Sequence, residues 1–103
     1  MEEKSIAGVN ITLNEEGYLT DPEQWNEDVA KEIALEEEIE LSDKHFEVLN
    51  YLREQFLAGE SLSIRKVGNA GIVNIKELYQ LFPGGPLKKS SRIAGIPKPA
   101  SCV

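Results

Sequence analysis

Residues 5–20 alternate between apolar and polar side chains, which is the two-residue period of a β-strand buried on one face. Asn14-Glu15-Glu16-Gly17 interrupts this alternation with turn-forming residues, and Tyr18-Leu19-Thr20 resumes it. The pattern therefore predicts a β-hairpin with its turn at residues 14–17. The apolar strand positions are Ile6, Val9, Ile11 and Leu13.

After residue 20 the apolar spacing changes to the period of helices. Asp21-Pro22 predicts the start of the first helix, because proline is favoured in a first turn. Negative charge opposes the helix dipole at a C-terminus, so the acidic run Glu36-Glu37-Glu38 predicts a solvated face or the end of this helix. We expect Trp25 to anchor the helix in the core. The apolar positions are Trp25, Val29, Ala30, Ile33 and Ala34.

The most strongly patterned helix begins after Ser42, a favourable N-cap, and has Asp43 in its first turn. Gly59 is predicted to end it. Its apolar stripe consists of Phe46, Leu49, Leu52, Phe56 and Leu57.

Residues 62–73 predict a short helical turn around residues 64–67, which Gly68 and Gly71 interrupt. Asn74 is the predicted N-cap of a further helix, and the two short helices resemble a helix-turn-helix. Residues 83–94 predict a Pro-Gly-Gly-Pro stop followed by one more helical turn. The fold class is therefore mainly α with an N-terminal β-hairpin. The face of the second short helix is formed by Ile75, Leu78, Tyr79 and Phe82.

The composition is that of one soluble globular domain, with 103 residues of which 41% are apolar and 28% charged. The charge is unevenly distributed. Residues 1–83 hold all 18 acidic and seven basic residues, a net charge of −11, whereas residues 84–103 carry +4. This asymmetry indicates that the C-terminus is a separate functional unit, which either folds back on the acidic body or docks in an acidic cleft of a partner.

The single cysteine, Cys102, lies beyond Pro97 and Pro99. The prolines favour an extended or polyproline-like tail, which would reach roughly 23 Å from Gly95 to Cys102. A thiol at the end of such an arm is typical of a sulfur carrier that inserts into a partner's active site, while burial of Cys102 in the core is the alternative. A second cysteine for an internal disulfide is missing. The acidic N-terminus, the lack of a long apolar run and the free thiol together predict a cytoplasmic protein.

Other chemistry has little support in the sequence. We expect His45, the only histidine, to be structural or on the surface, because it has no neighbours at metal-ligand spacing. No nucleophile elbow occurs, and Gly68, Gly71 and the Gly84-Gly85 pair do not match a phosphate-binding loop. We therefore expect neither a metal nor a cofactor.

The sequence around Cys102 shows no obvious means of activating its thiol. The C-terminal carboxylate of Val103 disfavours a thiolate beside it, and Lys98 is the only cation within the arm. This pattern is typical of a carrier whose partners supply the activation, rather than of a self-contained enzyme.

A series of short motifs runs in order along nearly the whole chain: residues 16–19 (EGYL), Trp25, 41–48 (LSDKHFEV), 52–54 (LRE), 78–86 (LYQLFPGGP) and 93–99 (IAGIPKP), followed by Cys102. In these motifs the chain resembles the DsrC/TusE family, whose members include the gamma subunit of dissimilatory sulfite reductase and the sulfur-relay protein TusE. The C-terminal motifs are highly specific to that family.

The resemblance implies a small orthogonal helical bundle with a mobile C-terminal arm, here a body at residues 1–82 and an arm at residues 83–103. It also implies that Cys102 carries sulfur, as a persulfide or mixed species, between a TusBCD/DsrEFH-like donor and a tRNA-thiolating or sulfite reductase-like acceptor. The candidate arm or partner contacts are Arg65, Lys66, Lys98 and Arg92.

Two positions depart from the family pattern. DsrC proper has a second cysteine where this chain has Ser91, and a hydroxyl cannot form the internal disulfide; this favours the single-thiol, TusE-like branch. Phe46 replaces a usual tryptophan. Arg65 and Lys66 match a basic pair that in the family lies near the arm, although the surrounding helix matches poorly.

Two other functions remain open. One is a gamma-type subunit or regulator of a sulfite reductase complex. The other is a DNA-binding helix-turn-helix protein, for which a net charge of −7 and few basic side chains near the candidate helices are unfavourable.

Overall fold

The chain begins with an antiparallel hairpin of β1 (Glu2–Ile6) and β2 (Val9–Leu13), in which Ile6 pairs with Val9. This is a computed structural model, and it describes residues 2–98. The hairpin turn is Ala7-Gly8, with φ of 53° and 80°, as two-residue hairpin turns require. The prediction of a single turn at residues 14–17 is therefore wrong, because an alanine at positive φ leaves no turn signal in the sequence.

Residues 14–17 do reverse the chain a second time, and the Gly17 amide donates to the Asn14 carbonyl at 3.0 Å. The predicted return strand is only a single bridge between Leu13 and Leu19. This second turn places Glu16 and Gly17 at the surface near the end of the chain.

The first predicted helix is divided in two. Asp21 caps a short 3₁₀ segment (Pro22–Gln24), Trp25 is extended, and Asn26 caps α1 (Glu27–Glu36) by accepting the Val29 amide at 2.8 Å. The break occurs because the Asn26 side chain provides a second N-cap five residues after Asp21, and α1 begins from it. Trp25 therefore lies outside α1, and its side chain packs against residues 93–95 near the C-terminus.

The central helix α2 (Asp43–Leu57) begins at Ser42, as predicted. Its buried face includes Leu49 and Leu52 but also His45 and Val48, whereas the predicted stripe member Leu57 is 66% exposed.

The two short helices are α3 (Ile64–Asn69) and α4 (Ile75–Leu81), and Asn74 caps α4 as predicted. Gly68 lies within α3 instead of ending it. A Cβ atom at Gly68 would come within 2.7 Å of the Ile75 side chain, so the glycine permits the close approach of α3 and α4.

The last helix, α5 (Pro86–Ile93), packs against α1 and α2. Leu87, Ile93, Ala94 and Ile96 have no exposed surface. The predicted start of the arm at residue 83 is therefore too early, because residues 86–96 bury apolar side chains in the core. The mainly α fold with an N-terminal hairpin is confirmed.

Candidate functional site

The C-terminal end of α5 is closed by hydrogen bonds from its own chain. Gly95, at φ 72°, donates its amide to the Arg92 carbonyl, and the Ile96 amide donates to the Ser91 carbonyl, both at 3.2 Å. These two bonds form a Schellman motif. We call residues 93–96 the arm root, because they are the last buried residues of the described chain.

Two side chains from distant parts of the sequence bind the remaining carbonyls of this turn. The Trp25 indole Nε1 donates to the Ile93 carbonyl at 2.7 Å, and Arg53 Nη1 donates to the Ala94 carbonyl at 2.9 Å. The Arg53 guanidinium also lies 4.3 Å above the Trp25 ring and donates through Nη2 to the Pro22 carbonyl at 2.9 Å. We call Trp25 and Arg53 the root clamp.

Arg53 was not singled out as a site residue from the sequence. Burial lowers the pKa of its guanidinium below the ordinary value, and it forms no ion pair with any carboxylate of residues 2–98. Two features of the sequence point to it: Arg53 directly follows a buried leucine, four positions after Leu49, and it lies in the 52–54 (LRE) segment that matches the family.

Arg92 leaves α5 on its exposed side and joins three segments. Its Nη1 atom lies 2.8 Å from a carboxylate oxygen of Glu37, and its Nη2 atom lies 2.8 Å from a carboxylate oxygen of Glu36. Its Nε donates to the Gly17 carbonyl at 3.2 Å. The Arg92 hydrogen bond is the main reason why the pKa of Glu36 lies below its usual value. The acidic run ends α1, as predicted, but two of its members are ion-paired and are not simply solvated.

Lys98, at the end of the described chain, pairs with Glu16 on the second turn, with 2.7 Å between Nζ and Oε2. The Lys98 hydrogen bond lowers the pKa of Glu16. Glu16 and Arg92 line the same cleft, of about 540 Å³, together with Tyr18, Gly84, Gly85, Lys88, Lys89, Glu36 and Glu37. The structure thus places Arg92 in this cleft and Lys98 beside it, through the ion pair with Glu16.

Arg65 and Lys66 belong to a different surface. They line a groove of about 470 Å³ with Tyr51 and Ser63, and Lys66 binds the Ser61 carbonyl at 3.0 Å. The two grooves share no lining residue in the described part of the chain. The four candidate contacts are therefore not brought together at one site.

Cys102, the predicted catalytic residue, lies outside the described residues. Ser91, at the position of the second family cysteine, is fully buried in α5. Its Oγ is the one buried side-chain oxygen or nitrogen of residues 2–98 without a hydrogen-bond partner. The surroundings of Ser91 are therefore apolar enough for a thiol, but within the described residues they provide no hydrogen-bond partner for a hydroxyl.

His45 has a structural role. Its Nδ1 accepts the Ser42 amide at 3.0 Å, which leaves Nε2 to donate to the Leu81 carbonyl at 2.9 Å, and its ring meets Phe82 edge-on. Residues 2–98 contain no group of three or more His, Asp or Glu side chains arranged to hold a metal ion. Within the same range, no helix has both the length and the apolar character needed to cross a bilayer.

The fold and site define a small, mainly helical domain whose C-terminal tail is fastened at its root. The family model described as DsrC like protein matches residues 5–103, so the chain belongs to this family.

Its relatives include the "Sulfurtransferase TusE homolog" of Haemophilus influenzae, which is 40% identical over 96% of this chain and 98% of the relative. Sulfurtransferase TusE of Escherichia coli is 39% identical over 93% and 95%. Among solved structures, DsrC of Allochromatium vinosum has a TM-score of 0.86 at 34% identity and covers 99% of this chain and 98% of its own. The oxidized gamma subunit of the dissimilatory sulfite reductase (DsrC) from Archaeoglobus fulgidus gives 0.83 at 35% identity, with 99% and 100% covered.

Proposed function

We propose that this protein is a sulfur-relay carrier, which accepts a sulfane sulfur on Cys102 and passes it to an acceptor protein. The observation that carries the proposal is the family match, which continues through residue 103 and so includes the Pro97-Lys98-Pro99 segment and Cys102. Relatives of nearly the same length bear the name sulfurtransferase TusE.

The transfer needs one exchange step on each side. The Cys102 thiolate attacks the outer sulfur of a donor persulfide, a new S–S bond forms on Cys102, and the donor's S–S bond breaks to release its thiolate. The same step in reverse roles hands the sulfur to the acceptor's thiolate. Electrons and sulfur balance without a further oxidant or cofactor.

The geometry of the root supports this role. The arm begins after Ile96, which is buried, and Lys98 is held by Glu16. Cys102 lies four positions after Lys98 in the sequence, a reach of at most about 14 Å beyond the lysine. The body therefore sets where the thiol is delivered, while the tail supplies the last part of the distance.

The partners proposed for this relay are a TusBCD/DsrEFH-like donor and a tRNA-thiolating acceptor, in the cytoplasm. The single thiol favours this acceptor over a sulfite reductase, because Ser91 cannot trap the sulfur between two cysteines.

Intact-mass analysis after incubation with a persulfide-loaded TusBCD-like donor tests the proposal. We expect the protein to gain one sulfur atom, Cys102→Ser to gain none, and the neighbouring control Ser101→Ala to load as the wild type does. A gain that persists in Cys102→Ser, or no gain in the wild type, would contradict the carrier role.

A second candidate is a gamma-type subunit or regulator of a dissimilatory sulfite reductase, which the resemblance to solved DsrC chains favours. Co-elution with the reductase's other subunits, undiminished in Cys102→Ser, would support it over the relay. DNA binding is disfavoured, because the groove beside α3 is lined by only two basic residues, Arg65 and Lys66, and Lys66 is paired with Glu60.

A further inference from the structure

All four carbonyls at the end of α5 have a hydrogen-bond donor from within the protein. The Schellman motif satisfies Ser91 and Arg92, Trp25 satisfies Ile93, and Arg53 satisfies Ala94. Helix ends at a surface are ordinarily completed by water. Here two side chains 68 and 41 residues away in the sequence perform this task.

Using Arg53 to bind these carbonyls costs desolvation free energy, because its side chain is charged. Its guanidinium is partly desolvated, yet within residues 2–98 it is held only by neutral carbonyls and an aromatic face. A planar fork is nevertheless the one side chain that can bind the arm root and the Pro22 carbonyl at once and still stack on Trp25. Capping the helix end requires only that its carbonyls be hydrogen-bonded. The Trp25 and Arg53 contacts go further, because they also hold the direction of the chain at the root.

Direction at the root matters because a long segment of chain links the root to the thiol. Cys102 lies six positions after Ile96 in the sequence, up to roughly 20 Å of chain, and Pro97 and Pro99 restrict the backbone in the first part of this segment. A tilt of about 10° at the root would then displace the thiol by about 3 Å at full extension. Misplacement of a reacting group by about 1 Å can reduce a rate on the order of a hundredfold.

We propose that Arg53 and Trp25 are positioning residues of the sulfur relay: they set the direction in which the arm leaves the body and so the place where the Cys102 thiol meets a partner protein. This inference rests on the proposed function. It distinguishes two reactions, since loading by a small persulfide needs no arm direction, whereas transfer from a folded donor does.

The test uses the full chain with Arg53→Lys, which keeps the charge but cannot bind two carbonyls, and Trp25→Phe, which keeps the ring but loses the bond to Ile93. Val48→Ala, a fully buried change on the same helix as Arg53, provides a control for general destabilisation. Each protein is loaded by glutathione persulfide and, separately, by a persulfide-loaded TusBCD-like donor. All rates are compared at temperatures equally far below each variant's Tm.

We expect both clamp variants to load from glutathione persulfide as the wild type does, and to lose about tenfold or more in kcat/KM with the protein donor. Val48→Ala should match the wild type both in loading from glutathione persulfide and in kcat/KM with the protein donor. Equal donor rates in the clamp variants and the wild type would overturn the inference, as would an equal loss in Val48→Ala.

A distance measurement tests the clamp independently of sulfur transfer. Spin labels on Cys102 and on Lys44→Cys, at the exposed start of α2, report the spread of arm directions. We expect a broader distance distribution in Arg53→Lys than in the wild type, and an unchanged distribution would overturn the clamp. A broader distribution in a protein that takes up no sulfur would retain the clamp and reject the carrier role.

Discussion

Gly95 lies directly against the indole of Trp25, at a backbone φ of 72°. A Cβ atom at position 95 would collide with three atoms of the Trp25 side chain. The glycine thus meets two requirements at once, a left-handed helix end and a close approach to an aromatic ring.

Gly95→Ala should destabilise the protein more than a positive φ alone explains. The left-handed conformation costs an alanine roughly 1–2 kcal/mol, and the collision adds to this. Gly59→Ala is the matched control, because Gly59 has φ 80° with open space around it. Urea unfolding should show a clearly larger loss in free energy of unfolding for position 95. Equal losses in unfolding free energy for the two variants would contradict this prediction, because they would mean that the Trp25 indole can move aside at no cost in stability.

Ser91→Ala should leave stability unchanged or raise it by up to about 1 kcal/mol, because a buried hydroxyl without a partner is removed. Its neighbour Ser90 is equally buried, but its Oγ donates to the Leu87 carbonyl at 3.3 Å. Ser90→Ala should therefore lower the Tm. A larger loss for Ser91→Ala than for Ser90→Ala would contradict the assignment.

Glu36 should make stability depend on pH in the acid range. Its pKa is lower in the folded protein than its ordinary value of 4.5, so its contribution is present above that value and is lost as the pH falls through the folded pKa. Partial exposure keeps the effect small and salt-sensitive. The difference in unfolding free energy between wild type and Glu36→Gln should shrink between about pH 5 and pH 3. Glu32→Gln, on the same helix and in no ion pair with the rest of residues 2–98, serves as the control.

Oxidation should give at most a dimer linked through Cys102, because the chain has one cysteine. Non-reducing electrophoresis and intact mass detect this, and Cys102→Ser should remain monomeric. An oxidised monomer lighter by two hydrogen atoms would refute the prediction.

Hydrogen exchange should locate the start of the arm. The Ile96 amide is bonded to Ser91 and its side chain is fully buried, so it should exchange slowly, like the amides of α2. The sequence predicts a mobile tail at residues 96–103; with Ile96 held in the core, we expect fast exchange at the amides beyond it. Slow exchange there would favour a buried Cys102.

Local interactions made much of the fold predictable. Ser42 and Asn74 start their helices through side-chain bonds to amides three residues on, and each appears in the sequence as a cap before an apolar stripe. The specific C-terminal motif and the single cysteine likewise led to the family. Prediction failed where two local conformations or two N-cap residues competed on nearly equal terms. Ala7 adopts a positive φ, and Asn26 outcompetes Asp21-Pro22 as the start of the first long helix.

The root clamp and the grouping of the basic residues were decided only by tertiary structure. Arg53 meets Ala94 across 41 residues, and Trp25 meets Ile93 across 68, through the packing of separate elements. The same packing places Arg92 and Lys98 around one cleft and puts Arg65 and Lys66 on another groove. Spacing along a chain encodes contacts within about one helical turn, whereas these neighbours depend on how the helices fit together.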